Sequence, residues 1–360
     1  MRIDRIAVHR LRLPLVIPYK LAFGPVEAFD TMLVAVTGED GRTGWGEATP
    51  LAGYTEEVPD VAWRFLSEET GRLAGATAEE AKAELGRHVH EHPFGVTAAV
   101  TAIEMLEGHP LLDHGEGRRV PLLAIINAME PAAIRAEVEA RLADGYRTLK
   151  VKVGFDPDRD APRVAGIQAM LDGRATIRLD GNQGYDRGGA VRFLKALDPT
   201  AIELVEQLCP AGDWDAAVAV AETGRGQGIP IMLDESIYGL EDIERAAELR
   251  AATHIKLKLM KCGGLTACAD LLERIRALGM EPVLGNGVAA DIGCWMEACV
   301  AHRHIRNAGE MNGFLKPRES VLADPLTRQG PDVALPKGWT PQPDPARLER
   351  LSVAAAAFGR

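Results

Sequence analysis

At 360 residues the chain exceeds the size at which one hydrophobic core usually keeps growing, so a barrel-sized domain with a smaller companion is predicted. Hydrophobic residues at 46% and charged residues at 26% match an ordinary globular composition, which excludes disorder and coiled coil. The formal net charge of -11 excludes the clustered basic footprint that a nucleic-acid backbone demands.

The N-terminal MRIDRIAVHRLRLPL alternates apolar and charged residues and reads as a strand, not a signal peptide. No window approaches eighteen consecutive apolar residues, so no spanning helix and no membrane partner is predicted, and a cytoplasmic location is expected. Residues 1–118 mix alternating strands with Ala/Glu-rich helical stretches such as ATAEEAKAELGRHV, which predicts an α+β domain. The stretch His88, His90, His92 has no metal-ligand spacing and reads as solvated.

Near HGEGRRVP the pattern changes. From Pro121 short apolar strands alternate with amphipathic helices, the signature of βαβ units and a parallel sheet. Eight candidate strands follow: VPLLAII, YRTLKVKVG, TIRLDGN, IELVEQ, IPIMLDES, THIKLKLMK, MEPVLGN and IRNAGEMNG. Eight such units close a (β/α) barrel, assigned here to residues 119–319, with 320–360 expected to pack back on the first domain. The five cysteines are an odd number without paired short spacing and are expected to be reduced core residues.

Polar residues recur near the strand ends: Lys152, Asp180, Glu206, Asp234, Lys258, Asn286 and Glu310, separated by 28, 26, 28, 24, 28 and 24 positions. Each separation is about one βα unit, so these side chains converge on the rim that carries the active site of a barrel. Asp180, Glu206 and Asp234 fall on consecutive strands. Three carboxylates around one point repel unless a cation sits among them, and oxygen-only ligation suits Mg²⁺, with Mn²⁺ as a substitute.

Lys150 and Lys152 are two apart on a strand and share a face, and Lys256 and Lys258 repeat the pattern on the sixth strand. Like-charge proximity, partial burial and a nearby metal are expected to lower the pKa of such a lysine toward the range of a base. Lysines on both sides of a metal-bound carboxylate suit removal of a proton from one face and delivery to the other. Asn286, between two glycines, reads as a turn residue, and Lys261, at a strand end before Gly263-Gly264, reads equally as functional or structural.

KVKVG, LDGN, VEQ, LDES and KLMKCGG, in this order and spacing, resemble the muconate-lactonising-enzyme subgroup of the enolase superfamily, and GWGEATPLAGY resembles the family's capping-domain loop. The resemblance covers nearly the whole chain. It implies a modified TIM barrel with an N-terminal α+β capping domain completed by the C-terminal tail. It also implies a homo-oligomer acting on a small-molecule carboxylate by Mg²⁺-dependent abstraction of the α-proton through a metal-stabilised enediolate. Asp180, Glu206 and Asp234 would bind the ion, and Lys152 and Lys258 would be the acid/base pair. Lys256 remains the alternative to Lys258, since a slip of two preserves the inward face. Lys150 would support Lys152 and touch the substrate carboxylate, while Asn182 and Glu235 would support these groups from behind.

Strand eight, AGEMNG, lacks the paired aspartates with which dipeptide epimerases of the family hold a free amine; Glu310 stands where cycloisomerases have an acidic residue. Cycloisomerisation and racemisation are therefore the expected reactions, with syn-dehydration, as in o-succinylbenzoate synthases, as the alternative. Specificity is assigned to the capping loops, with Lys20, Phe23, Tyr54 and Glu56 as candidate contacts. A Schiff-base lyase would need a depressed-pKa lysine but not three carboxylates in register, and a noncatalytic scaffold would need neither.

Overall fold

A computed structural model describes residues 1–21, 24–52 and 57–359. The candidate contacts Phe23, Tyr54 and Glu56 lie outside the described residues, as does the side chain of Lys20. The chain begins with three strands, β1 (Ile3–Leu21), β2 (Gly24–Gly38) and β3 (Thr43–Ala48), then three helices, α1 (Pro59–Glu69), α2 (Ala78–Gly86) and α3 (Pro93–Glu107). The buried side chains of β1 alternate, but their parity changes: Ile6 and Val8 are followed by Leu11, Leu13 and Leu15. The change of parity turns the second run to the other face of the strand: Ile6 and Val8 pack in the capping core, while Leu11, Leu13 and Leu15 join the core of the barrel.

Helix α3 is apolar on nearly every side and is buried along almost its whole length, as a helix sandwiched between two layers must be. It lies directly on β3 because Gly44 and Gly46 face it. A Cβ on Gly46 would stand 2.0 Å from the Ala98 carbonyl oxygen.

After β4 (Arg118–Pro121) the chain alternates strand and helix: β5 (Ala124–Ile126), α4 (Pro131–Ala143), β6 (Thr148–Lys152), α5 (Pro157–Leu171), β7 (Thr176–Asp180), α6 (Arg187–Ala196), β8 (Ile202–Glu206) and α7 (Trp214–Gln227). It continues with β9 (Ile231–Leu233), α8 (Leu240–Glu248), β10 (His254–Leu257), α9 (Leu265–Ala277), β11 (Glu281–Leu284) and α10 (Asp291–His304). β5 to β11 form one parallel sheet in sequential order. The eighth predicted strand makes no ladder. Instead Gly309 forms a parallel bridge with Leu122, its N–H bonding the Pro121 carbonyl at 2.9 Å, and the Glu310 N–H bonds the Leu284 carbonyl at 3.2 Å. Residues 309–310 thus join the last strand of the sheet to the first and close the ring.

The tail contributes β12 (Arg328–Gln329), β13 (Asp332–Leu335), α11 (Pro345–Leu351) and β14 (Ser352–Gly359). β13 pairs with β4, and β14 completes the capping sheet in the order β14-β1-β2-β3. All five cysteines are free, and among the described residues no helix is long and apolar enough to cross a membrane.

Candidate active site

Because neighbouring parallel strands run in register, the strand-end residues stand side by side: Lys152 is paired with Asp180 and Asp180 with Glu206. Asp234 follows the last residue of β9 and Lys258 the last residue of β10, one position beyond each ladder. One inward position below lie Lys150 and Lys256, and Leu204, Met232 and Val283 form a small apolar cluster at a similar level on strands β8, β9 and β11.

The three predicted metal ligands are all buried, and ammonium groups are interleaved among them. Lys150 Nζ lies 2.8 Å from Asp180 Oδ2, 2.9 Å from Glu206 Oε2 and 3.0 Å from Glu310 Oε1. Lys256 Nζ lies 3.1 Å from Glu206 Oε1 and 3.4 Å from Asp234 Oδ2, and also bonds Glu310. The predicted acid/base lysines flank this cluster on opposite sides: Lys152 Nζ is 2.6 Å from Asp180 Oδ2, and Lys258 Nζ is 2.7 Å from Asp234 Oδ1. Lys152, a third exposed, also bonds Asn182 Oδ1, and Asn182 Nδ2 donates to Glu235 Oε1 at 2.9 Å.

The charges explain one another. Burial raises the carboxyl pKa of Asp180, but Lys150 and Lys152 outweigh it and hold the group ionised; Lys258 and Lys256 do the same for Asp234, and Lys150 and Lys256 for Glu310. Glu206 is pushed up by burial and by Asp180, and Glu235 by burial and by Asp234. At Lys150 the three carboxylates outweigh burial and the like charge of Lys256. Burial lowers its pKa, yet Asp180, Glu206 and Glu310 raise it further, so this lysine stays an ammonium ion. Lys261, which donates to the Ile237 carbonyl and lies 3.8 Å above the Tyr238 ring, is the lysine that burial and Lys258 lower, to about 8.

Gln207 is a participant that sequence reasoning passed over. Its Oε1 accepts the N–H groups of Asp234 (2.9 Å) and Ser236 (3.2 Å), so it orients the segment that carries the third carboxylate. Gln207, Asn182 and Gln183 all hold left-handed φ angles, 35°, 39° and 65°, a concentration of backbone strain around the carboxylates. Asn286 shapes a turn through Val288, accepting its N–H at 3.0 Å and donating to its carbonyl at 2.9 Å.

As the side chains stand, no three His, Cys, Asp or Glu groups among the described residues converge as a metal cluster, because lysines lie between them. The donor set nonetheless fits a hard dication: three buried carboxylates on adjacent strand ends, already arranged around positive charge.

Comparison with known proteins agrees with this architecture. Residues 133–339 match the family model described as enolase C-terminal domain-like. The chain is 32% identical over 302 residues to the L-Lys-D/L-Arg epimerase of Methylococcus capsulatus, covering 79% of this chain and 82% of that protein. It is 30% identical over 357 residues to muconate cycloisomerase 1 of Rhodococcus opacus, covering 91% and 92% of the two chains. The solved structure of N-succinyl Arg/Lys racemase from Bacillus cereus superposes with a TM-score of 0.89 at 22% identity, covering 99% of this chain and 100% of that one, which shows the shared fold.

Proposed function

The chain belongs to the enolase C-terminal domain-like family and is an enzyme, and from that premise we propose that it removes and returns the proton on the carbon next to a substrate carboxylate, giving racemisation or epimerisation. The observation that carries this reading is the placement of Lys152 and Lys258 at strand ends on opposite sides of the Asp180–Glu206–Asp234 trio, each ion-paired to a different outer carboxylate. Cycloisomerisation uses the same proton chemistry and is the second reading, favoured by the similarity to muconate cycloisomerase 1.

Asp180, Glu206 and Asp234 would hold Mg²⁺. Five carboxylates, Asp180, Glu206, Asp234, Glu235 and Glu310, face five lysines, Lys150, Lys152, Lys256, Lys258 and Lys261, so the cluster is balanced by itself. Bound there, Mg²⁺ would supply the charge that stabilises the dianion left by proton loss and would tip this balance toward neutral lysine. Lys152 Nζ takes the α-proton from one antipode while Lys258 Nζ delivers a proton to the opposite face; for the other antipode the roles exchange. Lys150, fixed by three carboxylates, orients the substrate carboxylate. The capping hairpin rests on the rim, where the Val16 N–H bonds the Lys316 carbonyl at 2.9 Å and helps keep water out of the mouth.

The substrate we favour carries an acylated nitrogen in place of a free ammonium. A free ammonium needs a carboxylate, and both oxygens of Glu310 already accept from Lys150 (3.0 and 3.1 Å), with Lys256 bonding Oε2 as well. Asn312, two residues on, offers a neutral acceptor: its Oδ1 is buried with no hydrogen-bond partner among the described residues.

The test is α-proton exchange in D₂O with Mg²⁺. The panel is N-acetyl- and N-succinyl-amino acids and dipeptides, each in either α-configuration, together with unsaturated diacids. Metal-dependent exchange in the wild type, abolished for one antipode in Lys152→Ala and for the other in Lys258→Ala, is expected. Exchange that ignores the metal, or survives both substitutions, would overturn the reading.

A further inference from the structure

The two acid/base lysines are held by different parts of the molecule. Behind Lys152 the supports among the described residues belong to the barrel: Asp160 Oδ2 accepts the N–H groups of Gly154, Phe155 and Asp156 at 3.0 to 3.2 Å and the Tyr185 hydroxyl at 2.5 Å, and Arg163 bonds the Lys152 carbonyl. Behind Lys258 the Leu259 N–H first bonds Glu297 of the barrel helix α10 at 3.0 Å, and the chain then runs into the capping domain. Met260 is buried in the capping core, beside side chains of α3. The Gly263 N–H donates to Thr97 Oγ1 at 2.8 Å, and Glu104 accepts the Leu265 N–H at 2.6 Å, the Thr266 N–H at 3.0 Å and the Thr266 hydroxyl at 2.8 Å. Thr97 and Glu104 both lie on α3.

The contact is close enough to require glycine. A Cβ on Gly263 would stand 2.7 Å from Val89 and one on Gly264 2.7 Å from Val100, and both glycines hold left-handed φ angles, 83° and 149°. A carboxylate at the start of α9 also satisfies amide groups that the helix itself leaves unpaired. The segment from Lys258 to Thr266 is therefore pinned to α3 at three places: by a side chain in the capping core, by a hydroxyl and by a carboxylate.

We propose that α3 positions Lys258, through Thr97 and Glu104, and leaves Lys152 to the barrel, so that the capping domain controls one of the two faces of proton transfer. The inference rests on the two-lysine reading above. Thr97 and Glu104 act through the backbone and touch no substrate; they are positioning residues. Loosening them misplaces one amine and spares the other, which a general loss of stability cannot do.

The experiment measures α-proton exchange separately for the two antipodes of the panel, with Mg²⁺ and the full-length protein, in Glu104→Gln, Thr97→Val and Thr97→Ser. Lys258→Ala identifies the antipode whose proton Lys258 removes. Glu104→Gln and Thr97→Val are expected to slow exchange of that antipode about ten- to a hundredfold and to leave the other within about twofold, the range that a small misplacement of a reacting group produces. Thr97→Ser keeps the hydroxyl and is expected to match the wild type. Thr97→Val, which removes only a hydroxyl, decides the case if Glu104→Gln does not fold. Equal slowing of both antipodes, or no slowing in a folded variant, overturns the positioning role. Absence of exchange in the wild type overturns the proton-transfer reading itself.

Discussion

Glu47, on strand β3 of the capping sheet, accepts a hydrogen bond from the Gly293 N–H at 3.0 Å, although the two residues are 246 positions apart. The same carboxylate accepts from Ala290 at 2.5 Å and Ile292 at 3.0 Å, so it closes the N-terminus of α10 much as Glu104 closes that of α9. Glu47→Ala leaves three buried amides unpaired, each costing about 1–3 kcal/mol. A loss of at least about 3 kcal/mol in denaturant unfolding is expected, and a loss under about 1 kcal/mol would show that these bonds do not hold the two domains together.

Stability should fall as pH rises across neutrality. Burial pushes the Glu297 carboxyl up to about 8, against hydrogen bonds that it accepts from the backbone of Leu259, at 3.0 Å, and of Asn286. With the folded pKa above the unfolded one, the folded protein holds the proton more tightly. That stabilisation is complete below the ordinary carboxyl range and is lost as pH rises toward about 8. Glu297→Gln, which mimics the protonated acid, is expected to flatten the fall in melting temperature between pH 5 and 8; an unchanged slope would assign it to other groups.

Lys256 and Glu310 form a buried pair inside the barrel. Lys256→Met strands Glu310 and Glu206 with one cation fewer, which is expected to cost about 3–5 kcal/mol, the penalty for leaving a buried charge uncompensated. Adding Glu310→Leu is expected to recover most of that loss. A double variant no more stable than the single one would show that the two side chains are not coupled.

Calorimetric titration with Mg²⁺ checks the carboxylate trio without reference to any substrate. Asp180→Asn, Glu206→Gln and Asp234→Asn are each expected to weaken binding by more than about 100-fold, beyond the loss that follows when only a supporting contact is removed. Glu235→Gln, which touches Asn182, should fall within about 10–100-fold. Equal binding by wild type and all three ligand variants would place the ion elsewhere.

The barrel and its rim were legible because neighbouring parallel strands share a register, so equal spacing in sequence becomes adjacency in space. Lys152, Asp180 and Glu206 illustrate it as lateral partners on three consecutive strands. The eighth strand read as a ladder and is a single bridge at Gly309, since an apolar run shows how a segment is buried but not how many bonds it makes. Glu104 was illegible for a different reason. It sits in the most apolar helix of the chain and its partners are more than 160 positions away, so no local period marks it. The depth of Lys256 and its grip on Glu310 were hidden in the same way, because pairing between strands six and eight leaves no trace along either one.

Met260 has a further consequence for how such a chain can be recombined. Two residues beyond Lys258, its side chain fills space in the neighbouring core, so the barrel carries a piece of the cap and the cap contains a hole shaped for the barrel. A chimera that pairs this barrel with a foreign cap would meet a cavity or a clash at that spot, even if every crossover fell in a loop. Exchange between relatives should succeed only when the Met260 loop and α3 travel together, which makes this contact a unit of inheritance that straddles the boundary between the two domains.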